Sequence, residues 1–154
     1  MSLLGDRDGS LWIGTRGGGL NRLKNGKFAL CTVRNGLFSD YIFQILEDSS
    51  GNLWMTTNEG IFRVSQRELN DFADGKLKSV ISIPYGTQNG MSAPLCTGGT
   101  QPAGWRSKDG KLWFPTNRGL VMIDPDKSPP AGQRLPVLLE EVLVDDQHAN
   151  PNQN

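Results

Sequence analysis

The sequence predicts an all-β chain built from repeated four-stranded antiparallel units, and three observations predict it. The first is repetition. Gly9-Ser10-Leu11-Trp12-Ile13-Gly14-Thr15, Gly51-Asn52-Leu53-Trp54-Met55-Thr56-Thr57 and Gly110-Lys111-Leu112-Trp113-Phe114-Pro115-Thr116 share the pattern G-x-L-W-x-x-T, the mark of one supersecondary unit written three times. The second is spacing. Positions 12 and 54 lie 42 residues apart, within the roughly 40–45 of a four-stranded propeller blade; positions 54 and 113 lie 59 apart, one blade plus an insertion. The third is composition, because 19 Gly and 9 Pro in 154 residues call for many turns and few long helices. The predicted architecture is a fragment of a β-propeller: about three four-stranded antiparallel blades in an open arc.

Each copy reads as a turn followed by two strands. An Asp stands just upstream (Asp8, Asp48, Asp109); its side chain bonds backbone downstream, and Gly tolerates positive φ, so the pair supplies the turn. Leu, Trp and Thr then alternate with other residues at the period of a strand. A polar turn and a Gly-apolar pair (Gly19-Leu20, Gly60-Ile61, Gly119-Leu120) start the next strand. Unrelated hairpins in a sandwich would not repeat the same Trp at the same point.

In chain order, Leu3-Leu4-Gly5-Asp6 reads as the stub of an inner strand, as though the chain were cut from something longer. Leu11–Thr15 and Leu20–Leu23 follow, then an Asn25-Gly26 hairpin signal and a fourth strand over 27–33. Asn35-Gly36-Leu37 opens the crossover to a second unit, whose inner strand is Tyr41–Glu47, apolar on both faces as a strand between neighbouring sheets should be. Leu53–Thr57 and Ile61–Val64 continue it. Ser65 and Glu68 then suggest a capping box, with Leu69, Phe72 and Ala73 as the apolar face of a short helix over the rim. Ser79–Ile83 is expected to complete the sheet. The stretch 85–104 is polar, small and Gly-rich; long connections of this kind tend to be functional or mobile. Trp105–Lys108, Leu112–Thr116 and Leu120–Ile123 build a third unit. The expected blades are 1–34, 35–84 and 85–128, followed by a strand over 135–146 and a disordered tail over 147–154.

Bulk charge narrows the partners. Sixteen basic and sixteen acidic residues leave no net charge, which argues against a nucleic-acid surface. No apolar run approaches the roughly 18 residues of a membrane span, so no membrane contact is expected of this segment, and no signal peptide is recognisable. Catalytic signals are weak. His148 is the sole histidine and stands in the tail, which disfavours Ser-His-Asp catalysis and histidine-rich metal sites. Asp6-Arg7-Asp8-Gly9 has the opening of a calcium loop without the Glu required at its twelfth position, and reads as a turn. Cys31 and Cys96 fit no metal or redox motif; an oxidising compartment would allow them to pair, though one lies in a rim strand and the other in a loop. No catalytic residue, metal or cofactor is expected. Trp12, Trp54 and Trp113 read as core residues packing blade on blade, and so does Trp105, whose place in the second copy is held by Leu46.

The unit N-G-L…D-x-x-G-x-L-W-x-x-T-x-x-G-L resembles the two-component regulator propeller repeat, over nearly the whole chain. The inserted Ser65–Leu69 helix and the run Leu112-Trp113-Phe114-Pro115-Thr116…Gly119-Leu120…Ile123-Asp124-Pro125 resemble the last two repeats of that region, and 135–146 is similar to the opening strand of the immunoglobulin-like domain that follows it. The resemblance implies a periplasmic, non-catalytic sensor region of a hybrid histidine kinase. No kinase, receiver or membrane segment is present here. An enzyme of the propeller class, such as a lyase or glycosidase with catalytic residues on other blades, and a protein-interaction scaffold remain alternatives, since fold does not settle function.

Propeller geometry places the ligand face. Loops between second and third strands and those between blades emerge on one face, and here they carry Arg16, Asn58, Glu59, Asn117 and Arg118 with Asp40 and Tyr41. Amides, carboxylates and guanidinium groups beside a Tyr suit a polar small molecule or an oligosaccharide. Three blades close no ring, because propellers have roughly four to eight. The end blades therefore expose apolar faces, expected to include Leu11, Ile13 and Leu20 at one end and Trp113, Val121 and Ile123 at the other. The partners expected there are remaining propeller blades or other copies of the chain.

Overall fold

Antiparallel hairpins follow one another wherever the turn signals stand. The computed structural model describes residues 1–85, 96–98 and 102–128, with two short strands beyond them. The first sheet runs in the order β1 (Ser2–Gly5), β2 (Leu11–Gly14), β3 (Leu20–Lys24), β4 (Lys27–Cys31). The second repeats it with β5 (Gln44–Glu47), β6 (Asn52–Thr56), β7 (Ile61–Ser65) and β8 (Ile83–Tyr85). The third holds β9 (Trp105–Arg106), β10 (Leu112–Thr116) and β11 (Gly119–Ile123) among the described residues. Val142–Val144 and Gln147–Ala149 form a two-stranded hairpin, β12 and β13. Most of 86–101 and of 129–154 lies outside the described residues, including most of the expected strand over 135–146 and of the tail expected to be disordered.

Two side-chain clasps explain why the motif recurs. At one end of each sheet, the Trp12 indole Nε1 donates to Asp6 Oδ2 at 2.9 Å, Trp54 to Asp48 Oδ2 at 2.7 Å and Trp113 to Ser107 Oγ at 3.0 Å. The equivalent acceptors are thus Asp6, Asp48 and Ser107, six residues before each Trp. Asp8 and Asp109, paired with Asp48 in the sequence reading, stand two places later, inside the turn. The same carboxylates hold that turn: Asp6 Oδ1 accepts from the Asp8 and Ser10 amides, and Asp48 Oδ1 from those of Ser50 and Asn52. Burial pushes the Asp6 carboxyl up, but these bonds, with those from Trp12 and Gln66, leave it below the ordinary value. At the other end, Thr15, Thr57 and Thr116 donate their hydroxyls to the carbonyls of Gly19, Gly60 and Gly119, and each hydroxyl accepts a turn amide in return.

The core is two separate layers, one between each pair of sheets. Trp12 and Leu20 pack with Ile45, Leu53, Met55 and Phe62 in the first; Trp54 and Ile61 pack with Leu112, Phe114 and Ile123 in the second. Each Trp therefore faces the sheet that follows its own. Trp113 occupies the same place on the last sheet and is only partly buried. Trp105 pairs with Trp113 across the ladder and is 65 % exposed, so the expectation that it is core is overturned: it lies on a face that no described residue covers. The expected end faces are corrected in the same way. Leu20 and Ile123 are buried and Val121 packs on the second core, because strand alternation turns them inward. Leu3, Phe28 and Leu30 are exposed on the first sheet, and Leu120 and Met122 on the third.

The rim also departs from expectation. Helix α1 (Gln66–Ala73) forms and buries Leu69, but Ser65 makes no side-chain cap; Glu68 Oε2 instead accepts from the Ile81 amide at 3.1 Å. That contact delays the fourth strand to Ile83–Tyr85 rather than Ser79–Ile83, and leaves Val80 buried in the first core with its amide on the Asn35 carbonyl. Gly36, at φ 91°, is required there, since a Cβ would stand 2.0 Å from the Val80 carbonyl oxygen. Cys31 and Cys96 are free thiols, one in each core layer.

Two outcomes follow for stability, both read by denaturant unfolding at concentrations where the chain is monomeric. Trp54→Ala should cost about 3–5 kcal/mol, the usual loss for a buried Trp, and Trp105→Ala under about 1 kcal/mol, as for an exposed residue; similar midpoints for the two would contradict the layer arrangement. Asp48→Ala strands three buried donors, the Asn52 backbone amide, the Asn52 Nδ2 and the Trp54 indole, at about 1–3 kcal/mol each. Asp48→Ser should recover part of that loss, because a serine accepts the indole in the third copy.

Candidate functional site

The Thr-clasped turns and the crossover emerge on one face, as the topology requires. The crossover chain is tied to the first of them: Gly17 and Gly19 amides both donate to the Asp40 carbonyl at 3.0 Å, the Ile42 amide donates to Thr15 O at 2.7 Å, and Arg16 and Tyr41 form an isolated bridge. Asp40 Oδ1 accepts from the Val33 amide at 2.9 Å, which fixes its carboxylate beside the loop. Arg16, Asp40 and Tyr41 are thereby brought together, with Tyr41 about half exposed, at 48 %. Asn58 and Glu59 form the exposed tip of the next turn, and Asn117 and Arg118 that of the third.

What joins these turns is a segment that sequence reasoning left as a mobile connection. Residues 96–98 touch all three sheets. Arg16 Nη2 donates to Gly98 O at 3.0 Å, the Cys96 thiol reaches Gly60 O at 3.9 Å, Cys96 bridges Thr116, and the Thr97 amide donates to Pro115 O. Phe43 is the platform beneath, with the Arg16 guanidinium 5.9 Å from its ring centroid and Gly98 so close that a Cβ would lie 2.2 Å from the ring. Arg16 is therefore partly a structural residue. Glu59, Asn58, Asn117 and Arg118 project freely from their turns but are not gathered into a pocket.

Two open grooves lie instead along α1. One, of about 500 Å³, includes Asp8, Lys24, Asn70 and Asp71; its neighbour, of about 560 Å³, includes Lys24, Lys27, Phe28 and Asp74. None of the seven residues expected to bind ligand lines either groove. Between them Arg22, a buried cation that sequence reasoning missed, donates from Nη1 to Asn70 Oδ1 at 2.7 Å and from Nη2 to Asp74. That bond holds the Asp74 carboxyl below its ordinary value and clamps the helix to the first sheet. The only signal in the sequence was a basic residue at an inward position of β3.

Burial pushes the Cys96 thiol up to about 11; burial and the neighbouring Asp40 charge do the same for Cys31. Both remain neutral thiols near pH 7, and a thiol rather than a thiolate is a poor nucleophile. Among the described residues, no three of His, Cys, Asp and Glu stand close enough to hold a metal, and no helix is long and apolar enough to cross a membrane.

Residues 1–17 and 36–59 match the family model of the two component regulator propeller. These two stretches are similar to two-component regulator propeller repeats. Each matched stretch of propeller repeat contains one Asp–Trp clasp, Asp6 with Trp12 and Asp48 with Trp54, and the third copy, with Ser107 in place of the Asp, falls outside the match. Among solved structures, these blades are similar to the extracellular domain of a system from B. thetaiotaomicron, BT4673, assigned as a hybrid two component system. The TM-score is 0.63 at 24% identity, over 80% of this chain and 17% of that one; a second structure of that domain, described as one component, gives the same values. The extracellular domain of BT3049, assigned as a hybrid two component system of the same organism, gives a TM-score of 0.65 at 21% identity, over 96% of this chain and 20% of that one. This likeness shows the fold, a propeller arc, and the chain spans a fifth or less of either structure's length. No curated protein matches it in sequence.

The Arg16 tie between blade 1 and the 96–98 segment combines a hydrogen bond and a cation–π contact, together about 1–2 kcal/mol. Arg16→Ala should therefore speed amide exchange at Thr97 by about tenfold while leaving the protection of β6 unchanged. Exchange at Thr97 that does not respond would show that Pro115 alone holds the segment.

Proposed function

We propose that this chain is a sensing part of an extracytoplasmic two-component receptor, periplasmic in location, which binds a polar small molecule or an oligosaccharide on its loop face and performs no chemistry itself. The observation that carries this is the match of 1–17 and 36–59 to the two component regulator propeller, supported by a shared fold with extracellular domains assigned to hybrid two-component systems. The loop face suits such a ligand. Tyr41 offers an exposed ring for an apolar sugar face, while Asp40, Asn58, Glu59, Asn117 and Arg118 offer hydrogen bonds to hydroxyls from three separate blades. Arg16 adds a guanidinium edge beside the Phe43 platform.

A ligand spanning turns of neighbouring blades favours the blade arrangement in which those turns are correctly spaced. Differential affinity of this kind is all that a signal requires: the favoured arrangement would shift the domain that follows, expected to be immunoglobulin-like, and through it a kinase elsewhere in the receptor. No described residue favours the enzymatic alternative.

Titration calorimetry with a panel of neutral and acidic oligosaccharides tests the proposal. One class is expected to bind, with affinity lowered about tenfold or more by Tyr41→Ala and by Glu59→Gln, each of which removes an interaction of about 1–3 kcal/mol. Binding that neither variant weakens, binding of no member of the panel, or conversion of the sugar into products would overturn it.

A further inference from the structure

We propose that the groove between the β3–β4 hairpin of blade 1 and helix α1 of blade 2 binds a doubly charged oxyanion, a phosphate or sulfate group. Lys24 and Lys27 would hold it, and Arg22 would add its charge. Strand alternation puts these three residues on the face of blade 1 that Trp12 shares, since Trp12 stands opposite Arg22 and Lys24 opposite Lys27. That face is turned toward blade 2, where Arg22 meets Asn70 of α1 and Asp74 at the helix C-terminus. The groove, of about 560 Å³, is therefore walled by two blades that both lie among the described residues, with Ala73 and Asp74 on its helical side. It opens at the end of the sheet that carries the Asp–Trp clasps, away from the loop face.

The charges in this groove do not cancel. Lys24 and Lys27 stand directly opposite each other across the ladder, a like-charge pair that costs a hairpin stability. Between them lies a two-residue turn with Asn25 at φ 50° and Gly26 at φ 74°, the tight kind that fixes strand register. Among the described residues neither ammonium has an ion-pair partner. Asp74 is the one carboxylate that lines the groove, and it is already met by Arg22 and by Lys76 at 3.5 Å. Arg22 is 7 % exposed, and its buried Nε makes no hydrogen bond among the described residues. A guanidinium so far out of water acts through a lower dielectric than an exposed one. The neighbouring groove differs, for it sets Lys24, Arg67 and Lys76 against Asp8, Asp71 and Asp74. Two unpaired ammonium groups on adjacent strands suit an anion with two charges and several acceptor oxygens, because lysine binds phosphate or sulfate as a point charge. The site is separate from the loop face, and its failure would leave the ligand proposal intact.

Titration of the 154-residue chain with sodium sulfate or sodium phosphate, against sodium chloride at matched ionic strength and followed by amide NMR, tests the inference. Saturable shifts at Asn25, Gly26 and Ala73 are expected with either oxyanion and not with chloride. A hexose phosphate that binds more tightly than inorganic phosphate would identify the group as a substituent of a larger molecule, and equal or weaker binding the free ion. Lys24→Gln and Lys27→Gln should each lower affinity about tenfold, as loss of a hydrogen bond between charged groups does. Arg67→Gln, in the balanced groove, should leave it unchanged. Lys27→Gln should also raise the thermal midpoint of the anion-free chain, because it removes the like-charge pair; a lysine kept for structure alone would lower it. Shifts that follow ionic strength alone, affinity unmoved by both lysine substitutions, an equal loss on Arg67→Gln, or a lowered midpoint for Lys27→Gln would each overturn the inference.

Discussion

The hydrogen bond from each repeat Trp to the acceptor six residues before it ties two requirements of a blade into one. An indole buried between sheets needs a partner for its N–H, and the turn between the first and second strands needs its amides satisfied. A single carboxylate at Asp6 or Asp48 meets both, with one oxygen on the turn and the other on the indole. Turn geometry and core packing are therefore set by one residue. In the third copy the task is divided: Ser107 accepts the indole, and Asp109 lies alongside, receiving the Ser107 hydroxyl and pairing with Lys111 at 2.8 Å. The Lys111 ammonium and the Ser107 hydroxyl hold the Asp109 carboxyl down to about 2, as expected of an exposed charge with close partners rather than a buried clasp.

Because each Trp faces the following blade, stability in this architecture lies between sheets rather than within them. A blade is a thin sheet whose two faces differ in kind, and it is complete only with a neighbour on each side. The second blade has a neighbour on both sides, and all five residues of β6 are buried; among the described residues the first and third blades each pack against one. Buried cations occupy equivalent positions beside Trp12 and Trp54, on the two Trp-bearing faces that another sheet covers: Arg22 reaches the helix, and Arg63 lies 5.5 Å from the Trp54 ring and 5.8 Å from that of Tyr85. The third copy has Met122 at this position, an apolar residue where the others hold charge.

The loop face is held by the opposite end of the same motif. The Thr clasps shape the turns and leave their tips, Asn58, Glu59, Asn117 and Arg118, clear of structural duty. The short segment 96–98 then bonds to all three blades. Ligand contact and blade spacing are coupled on this face, since the groups that would touch a ligand stand on turns whose separation is set by a few hydrogen bonds.

The all-β class, the propeller unit, the strand order and the positions of most turns were determined by the sequence alone, because Gly-x-Leu-Trp-x-x-Thr encodes turn chemistry and strand period locally, within about ten residues. Three copies at blade spacing left little freedom in how the units stack. Tertiary structure decided everything that depends on which partner a side chain meets. The clasp uses Asp6 and Ser107 rather than Asp8 and Asp109, since only the residue six before the Trp lies under its indole once the turn closes. Glu68 bonds the Ile81 amide instead of capping its own helix, which displaces β8 along the chain. Leu20 and Ile123 turn inward and Trp105 outward, because alternation assigns faces but only a neighbouring sheet determines which face is covered. The gathering of Arg16, Asp40 and Tyr41 was legible from topology. Their link to Gly98, 82 residues along the chain from Arg16, was not, since no local pattern records a contact made across three blades.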